Sequence, residues 1–387
     1  MSVSSIHKAW QFDPATIYLN HGSFGPSPAV VQNARQAWTL LLERQPMDFF
    51  VRRMEGYLEA ASARLGQFVS ADAADLCFVD NATTAMNVVA ESTLLNEGDE
   101  VLLTDHEYGA VMRIWRRACE RRGARIVVAR LPDPLISQEA IVDAVFAAST
   151  PRTRIIVVSH VTSPTAVILP VEQICRRARA KGIAVCIDGP HAVAMVPVDL
   201  RKIDCDYYCA SGHKWLCGPF GSGFLYVYRR RQSSIVSPVI SWGGSVSGRP
   251  FRWQDELNWL GTRDPAPFLA IPAAIDFLES YGVDEFRRQT NAMASDARRR
   301  IADLTGLAPF TPDSAAWFGS MATCPLPDGE SPPPGRRDPL QNQLWERHRI
   351  EIPVVHWHGR RLLRVSCHLY TTAEHIDLLV EALRTDL

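Results

Sequence analysis

The chain has 387 residues, 47% of them hydrophobic, and its 41 basic residues offset 42 acidic ones to a formal net charge of -1. That length suits about two domains with well-filled cores, and the balanced charge gives no electrostatic footprint for nucleic acid or an anionic membrane. No apolar stretch approaches the ~20 residues of a membrane span, and the N-terminal run from Met1 to Lys8 lacks the apolar core of a secretory signal.

Nine scattered cysteines, several inside apolar runs (Cys77, Cys186, Cys209), read as reduced, buried thiols of a cytoplasmic protein. Cys205, Cys209 and Cys217 are close in sequence but form no paired C-x-x-C, so no metal site is expected.

Strand-like and helix-like patterns alternate through the first two-thirds of the chain. Leu76-Cys77-Phe78-Val79 is strand-like, and a helical pattern follows from Ala82 to Leu95. Val101-Leu102-Leu103 leads into a helix ending near Arg122, then Ile126-Val127-Val128. A helix over 137–147 precedes Ile155-Ile156-Val157-Val158, and a helix from Val171 to Lys181 precedes a strand from Ile183 to Ile187. Tyr207-Tyr208-Cys209-Ala210 and Phe224-Leu225-Tyr226-Val227 close the series. Near-continuous apolar runs imply strands covered on both faces. Repeated strand–helix units predict an α/β fold with a large, doubly wound, mostly parallel sheet.

Composition shifts at Trp242-Gly243-Gly244-Ser245-Val246-Ser247-Gly248-Arg249-Pro250. Beyond it the pattern predicts helices over 266–281 and 284–305, short strands over 321–324 and 362–366, and a last helix from Ala373. This reads as a smaller α+β C-terminal domain over 251–387, with residues 1–15 packing on it, after a large domain over 16–250. Pro325 to Pro339 reads as an exposed loop, and no internal repeat is visible.

In an open parallel sheet, ligands bind beyond the carboxyl ends of the strands, so the residues that follow each apolar run matter most. Asp80-Asn81-Ala82-Thr83-Thr84 opens a helix whose free amides and hydroxyls suit a phosphate, although a plain threonine cap reads the same way. Tyr108, after the next strand, is an aromatic suited to stacking on a ring or to packing. Ser159-His160-Val161-Thr162-Ser163-Pro164-Thr165 offers polar groups for a ligand oxygen, or ordinary turn chemistry. Asp188 ends a buried apolar run in Val185-Cys186-Ile187-Asp188-Gly189-Pro190-His191. Lys214 sits in Ser211-Gly212-His213-Lys214-Trp215, whose small and apolar neighbours do not resemble a solvated helix face. A carboxylate and an amine brought to one sheet edge suit a cofactor with a pyridine nitrogen and an aldehyde, which is pyridoxal phosphate. Each motif alone is weak; five in chain order at five strand ends are not.

The combination resembles the class V aminotransferase-like enzymes of pyridoxal-phosphate fold type I, which include cysteine desulfurases and isopenicillin N epimerase-like proteins. The resemblance runs from Tyr18-Leu19-Asn20-His21-Gly22-Ser23-Phe24-Gly25 to Arg364-Val365-Ser366. It implies that Lys214 links covalently to the cofactor and that Asp188 partners the pyridine nitrogen. Thr83, Thr84, Ser211 and His213 become the phosphate cradle, Tyr108 the ring-stacking residue, and His191 and Ser163 the contacts to the phenolic oxygen. Gly261-Thr262 matches a segment that reaches a phosphate in the partner subunit, which implies a homodimer. Arg364 matches an arginine that grips the substrate carboxylate through a bidentate fork.

The chain departs from the desulfurases. Tyr108 stands where they usually carry histidine, and Ser163 where they usually carry asparagine. The loop before Arg364, Ile352-Pro353-Val354-Val355-His356-Trp357-His358-Gly359-Arg360, lacks their cysteine, while Cys367 falls in a strand pattern and reads as structural. Asn20-His21-Gly22-Ser23, the 160–165 segment and Arg44-Gln45-Pro46 are most similar to the isopenicillin N epimerase-like branch.

The expected chemistry begins with removal of the Cα proton of an amino-acid substrate by the Lys214 amine. Reprotonation from the other face makes an epimerase or racemase, and His21, Tyr108, His356 and His358 are the candidates for the second donor or for substrate contacts. Loss of a β-substituent makes a C–S lyase acting on a cysteine conjugate or sulfoxide, and proton return to the cofactor makes an aminotransferase. A non-catalytic binding protein on the same fold is the reading least compatible with an intact Lys214 and Asp188. His356, His358, Arg360 and Arg361 hint at a polar or anionic substrate side chain.

Overall fold

The structure is a computed structural model that describes residues 7–329, 332–333 and 336–387. The expected loop over 325–339 and the N-terminal segment therefore lie partly outside the described residues. A short strand β1 (Ile17–Tyr18) leads into seven strands of one sheet: β2 (Leu76–Val79), β3 (Glu100–Thr104), β4 (Arg125–Ala129), β5 (Thr153–Ser159), β6 (Ala184–Asp188), β7 (Tyr207–Ser211) and β8 (Gly223–Val227). Their order is β2-β8-β7-β6-β5-β3-β4, and only β8 runs against the others. The fold is therefore the expected α/β architecture with a large, mostly parallel sheet.

The strands form where the sequence is apolar without alternation. Every residue of β2, β3, β6, β7 and β8 is buried, because helices cover both faces. The edge strand β4 differs: Arg125 and Val128 are exposed, since the last strand has a neighbour on one side only. Between strands the helices follow their capping signals. Asn81 accepts a hydrogen bond from the Thr84 amide at 3.0 Å and caps the helix Ala82–Ser92, which stops short of the expected Leu95. The helix Gly109–Arg122 buries Val111, Trp115, Ala118 and Cys119, an i, i+4, i+7, i+8 stripe, and ends at Gly123 with φ 67°.

After the 242–250 segment the chain becomes helical, with the expected 266–281 helix divided at Ala270 into Ala266–Leu269 and Ile271–Tyr281, followed by Val283–Thr305. Strands β9 (Met321–Pro325), β11 (Val354–Trp357) and β12 (Arg360–Ser366) make an antiparallel sheet in the order β11-β12-β9, and β10 (Ile350–Glu351) pairs in parallel with β1. The N-terminal segment is tied here as well: the Ser366 amide donates to the Leu19 carbonyl at 3.0 Å, and Trp10 packs edge-on against Phe277, His368 and Tyr370. All nine cysteines are buried and unpaired. No helix among the described residues is long and apolar enough to cross a membrane.

Candidate active site

Because β2, β3, β5, β6 and β7 run the same way, the segments that leave them emerge at one edge of the sheet. Register holds that edge level: Ser159 pairs with Asp188, Asp188 with Cys209, and both Ser211 and Val79 with Gly223. The β11–β12 hairpin approaches the same edge, anchored by Trp357 Nε1, which donates to the Asp105 carbonyl at 3.1 Å. Between them lies a cavity of about 680 Å³ lined by Ser23, Phe24, Asn81, Thr83, Glu107, Tyr108, Ser163, Asp188, His191, Ser211, His213, Lys214, Pro353, Val355, His356, Trp357 and Arg364, among others.

Lys214 is partly buried, and its Nζ lies 3.1 Å from His191 Nε2. Burial first, then the nearby Arg364 charge, lowers its amine to about 7, against a smaller opposing pull from Asp188. Asp188 is 6% exposed, and no side chain among the described residues donates a hydrogen bond to its carboxylate. Burial raises it to about 7, with Lys214 pulling the other way. The same burial pushes the imidazole of His191 well below its ordinary value, so its ring is neutral.

Arg364, on β12 and 5% exposed, donates from Nη1 to the Ser163 carbonyl at 2.7 Å and from Nη2 to Ser23 Oγ at 2.7 Å. Among the described residues its Nε is buried without a hydrogen-bond partner, and no carboxylate pairs with it. Burial lowers it to about 10, so it stays a cation at neutral pH. A buried guanidinium without an anion is costly.

At the other end, Ser211 Oγ accepts from the Ala82 amide at 3.0 Å, which ties the Lys214 segment to the helix N-terminus. Thr83 is exposed and lines the cavity, whereas Thr84 is turned to its cap partner Asn81 and does not. His213 lines the cavity with Nδ1 buried and, among the described residues, without a hydrogen-bond partner, and burial lowers its imidazole. Tyr108 lines the mouth, half exposed.

Not every candidate reaches the cavity. His21 sits behind Lys214 with both ring nitrogens engaged, Nε2 on the Lys214 carbonyl at 3.0 Å and Nδ1 on Tyr370 Oη at 2.8 Å. Burial lowers it to about 3. His358 lies outside the lining with Nε2 on the Asp105 carbonyl at 3.2 Å. Thr262 is exposed and off the lining, next to Arg263, which pairs with Asp80 at 2.7 Å. His356 lines the cavity and bonds Asp338, which Arg361 also holds, while Arg360 pairs with Asp133. Arg360 and Arg361 are thus already neutralised by the protein.

One residue escaped the sequence reading. Glu107, next to Tyr108, is buried in the cavity wall and accepts from Ser159 Oγ at 2.6 Å and Thr104 Oγ1 at 2.7 Å. Burial raises it to about 7, opposed by those two hydroxyls and assisted by Asp188. Its signal was an acid three residues past the end of an apolar strand, a weaker version of the signal that marked Asp188.

The family model for aminotransferase class-V matches residues 47–379. The chain is 37% identical to an isopenicillin N epimerase of Amycolatopsis lactamdurans, over 96% of this chain and 95% of that one. It is 29% identical to a putative L-cysteine desulfhydrase of Oryza sativa subsp. japonica, over 94% of this chain and 82% of that one. Among solved structures it is similar to a cysteine desulfurase of Escherichia coli, with a TM-score of 0.81 and 22% identity, covering 100% of this chain and 98% of that one.

Proposed function

The chain belongs to the class-V aminotransferase family of pyridoxal-phosphate enzymes, and from that premise we propose that it is an amino-acid epimerase of the isopenicillin N epimerase kind. The observation that carries this reading is one cavity holding a partly buried amine lowered to about 7, a buried carboxylate without a donor, and a buried guanidinium without an anion. These unmet groups fit the cofactor and an amino acid together. Asp188 is the partner for a pyridinium N–H, and the unpartnered His213 Nδ1 with Thr83 and the helix N-terminus at Ala82 suits a phosphate. When bound, pyridoxal phosphate supplies an electron sink that makes the substrate's Cα–H acidic.

The chain's own groups supply the rest. Arg364 fixes the substrate by its α-carboxylate, held in place by Ser163 and Ser23. With its basicity lowered to about 7, the Lys214 amine is neutral often enough at physiological pH to take the Cα proton. His191, neutral and 3.1 Å from Nζ, orients that amine. Asp188, Thr83, Ser211 and His213 are the cofactor contacts in this proposal, with Tyr108 as the ring-stacking residue and Ser163 and His191 near the phenolic oxygen. Thr262 would act across a homodimer, since it is exposed and off this subunit's cavity.

A C–S lyase is the second reading, supported by the relatives named as cysteine desulfhydrases. Incubating the cofactor-loaded enzyme with isopenicillin N or L-cysteine in deuterated water separates the two by NMR. The proposal expects deuterium at Cα with inverted configuration; pyruvate and ammonia from cysteine without inversion of the other substrate would replace it with the lyase.

A further inference from the structure

Two buried carboxyls, Asp188 and Glu107, stand in the cavity wall, and the Cα chemistry employs only the first. We propose that Glu107 is a second anion at the ring-nitrogen end of the site, acting through Asp188 to keep that nitrogen protonated; this rests on Asp188 being the nitrogen's partner. Glu107 stands three residues past β3 and is 8% exposed, against 6% for Asp188.

The strand ends bring the two acids together. Ser159 closes β5 and Asp188 closes β6, and the two are register partners. Side chains of in-register neighbours on parallel strands project from the same face of the sheet, about 5 Å apart. Ser159 Oγ donates to Glu107 Oε2 at 2.6 Å, so the Glu107 carboxylate is bonded to the side chain that stands beside Asp188. Its other oxygen accepts from Thr104 Oγ1 at 2.7 Å, and that hydroxyl is aimed by the His106 amide, which donates to it at 3.2 Å. Two hydroxyl donors favour the ionised carboxylate. Burial, assisted by the Asp188 charge, opposes them and raises Glu107 to about 7.

Among the described residues, Lys214 is the cation that bears on Asp188, and it pulls that carboxyl down. Burial pushes the Cys186 and Cys209 thiols and the Tyr208 phenol up, and lowers His160 and His191, so these five neighbours are neutral. The coupling of two carboxylates is reciprocal: each makes a proton held by the other harder to lose. A ring nitrogen bonded to Asp188 therefore keeps its proton to higher pH when Glu107 is ionised. Glu107 is a positioning residue in this scheme, since it touches Ser159 and Thr104 rather than the reacting atoms.

Two NMR titrations test the coupling, one without the cofactor and one with it. In the cofactor-free protein with ¹³C-labelled aspartate, the Asp188 carboxyl is identified by its loss in Asp188→Asn. It should titrate about one pH unit lower in Glu107→Gln than in wild type. With ring-¹⁵N pyridoxal phosphate bound, the ring nitrogen should release its proton at a pH lower by a similar amount in that variant. Ser159→Ala, which removes only a hydroxyl, should move both midpoints the same way by less, and it serves where Glu107→Gln does not fold. An unmoved midpoint in either titration, even with a lower Tm or loss of cofactor, would make Glu107 a packing residue and overturn the proposal. A ring nitrogen that titrates alike in wild type and Asp188→Asn would overturn the partnership of Asp188 with the ring, and this role for Glu107 with it; the cofactor-free titration then reports the coupling of the two acids separately.

Discussion

Burial moves Lys214 and Asp188 toward each other on the pH scale, the amine down to about 7 and the carboxyl up to about 7. For the lysine the sign is clear: desolvation penalises the ammonium, so the neutral amine gains population as pH rises through about 7 rather than near 10. Covalent capture of pyridoxal phosphate requires the neutral amine. Mixing the cofactor-free protein with pyridoxal phosphate and following visible absorbance against pH should show a capture rate that rises up to about pH 7 and then levels. A rate that climbs steadily to pH 10 would mean that Lys214 is not desolvated. Asp188 and Lys214 were legible in the sequence because one ends a buried apolar run and the other closely follows one, where a charged residue needs a reason. The partnership of Asp338 with His356 was not, because 18 positions and a whole helix separate two residues that only the hairpin brings together.

The elements hold these residues by close approach. Gly189 follows Asp188, and a Cβ there would fall 2.1 Å from Tyr208 Cε1, a ring that is fully buried and bonded through its hydroxyl to His160 Nδ1 at 2.9 Å. The Gly189 amide also donates to the Cys209 carbonyl at 2.8 Å, so the backbone has no room to retreat. Gly189→Ala should therefore cost about 1–3 kcal/mol by overpacking, seen as a lower Tm, and should weaken cofactor retention along with it. An unchanged Tm would show that the strand end can yield. At this scale the parallel strands were readable, since burial on both faces leaves unbroken apolar runs. The helices Ala29–Arg44 and Met54–Val69 were not identified: the first buries only Val31 and Leu42 and leaves Leu40 and Leu41 exposed, which blurs its periodicity. Strand β11 was read as loop because His356 and Trp357 replace the apolar run that marks a strand.

At the scale of the whole molecule, the segment after β8 presents apolar side chains to solvent, Ile240 at 91% and Trp242 at 77% exposure, with Phe251 at 65%. Large exposed apolar groups in one segment mark an association surface, and exposed Thr262 follows eleven residues after Phe251. Sedimentation of the purified protein should give twice the 43.1 kDa chain mass, and Trp242→Glu should shift it toward the monomer. A wild-type monomer that retains full activity would remove Thr262 from the site.

The account stands on Lys214. The chain has four lysines, and Lys8, Lys181 and Lys202 are exposed while Lys214 is partly buried in the cavity wall. Borohydride reduction of the holoenzyme, followed by mass spectrometry of its peptides, should place a single phosphopyridoxyl group on the peptide that contains Lys214. The group on any of the other three lysines, or on none, would contradict the account.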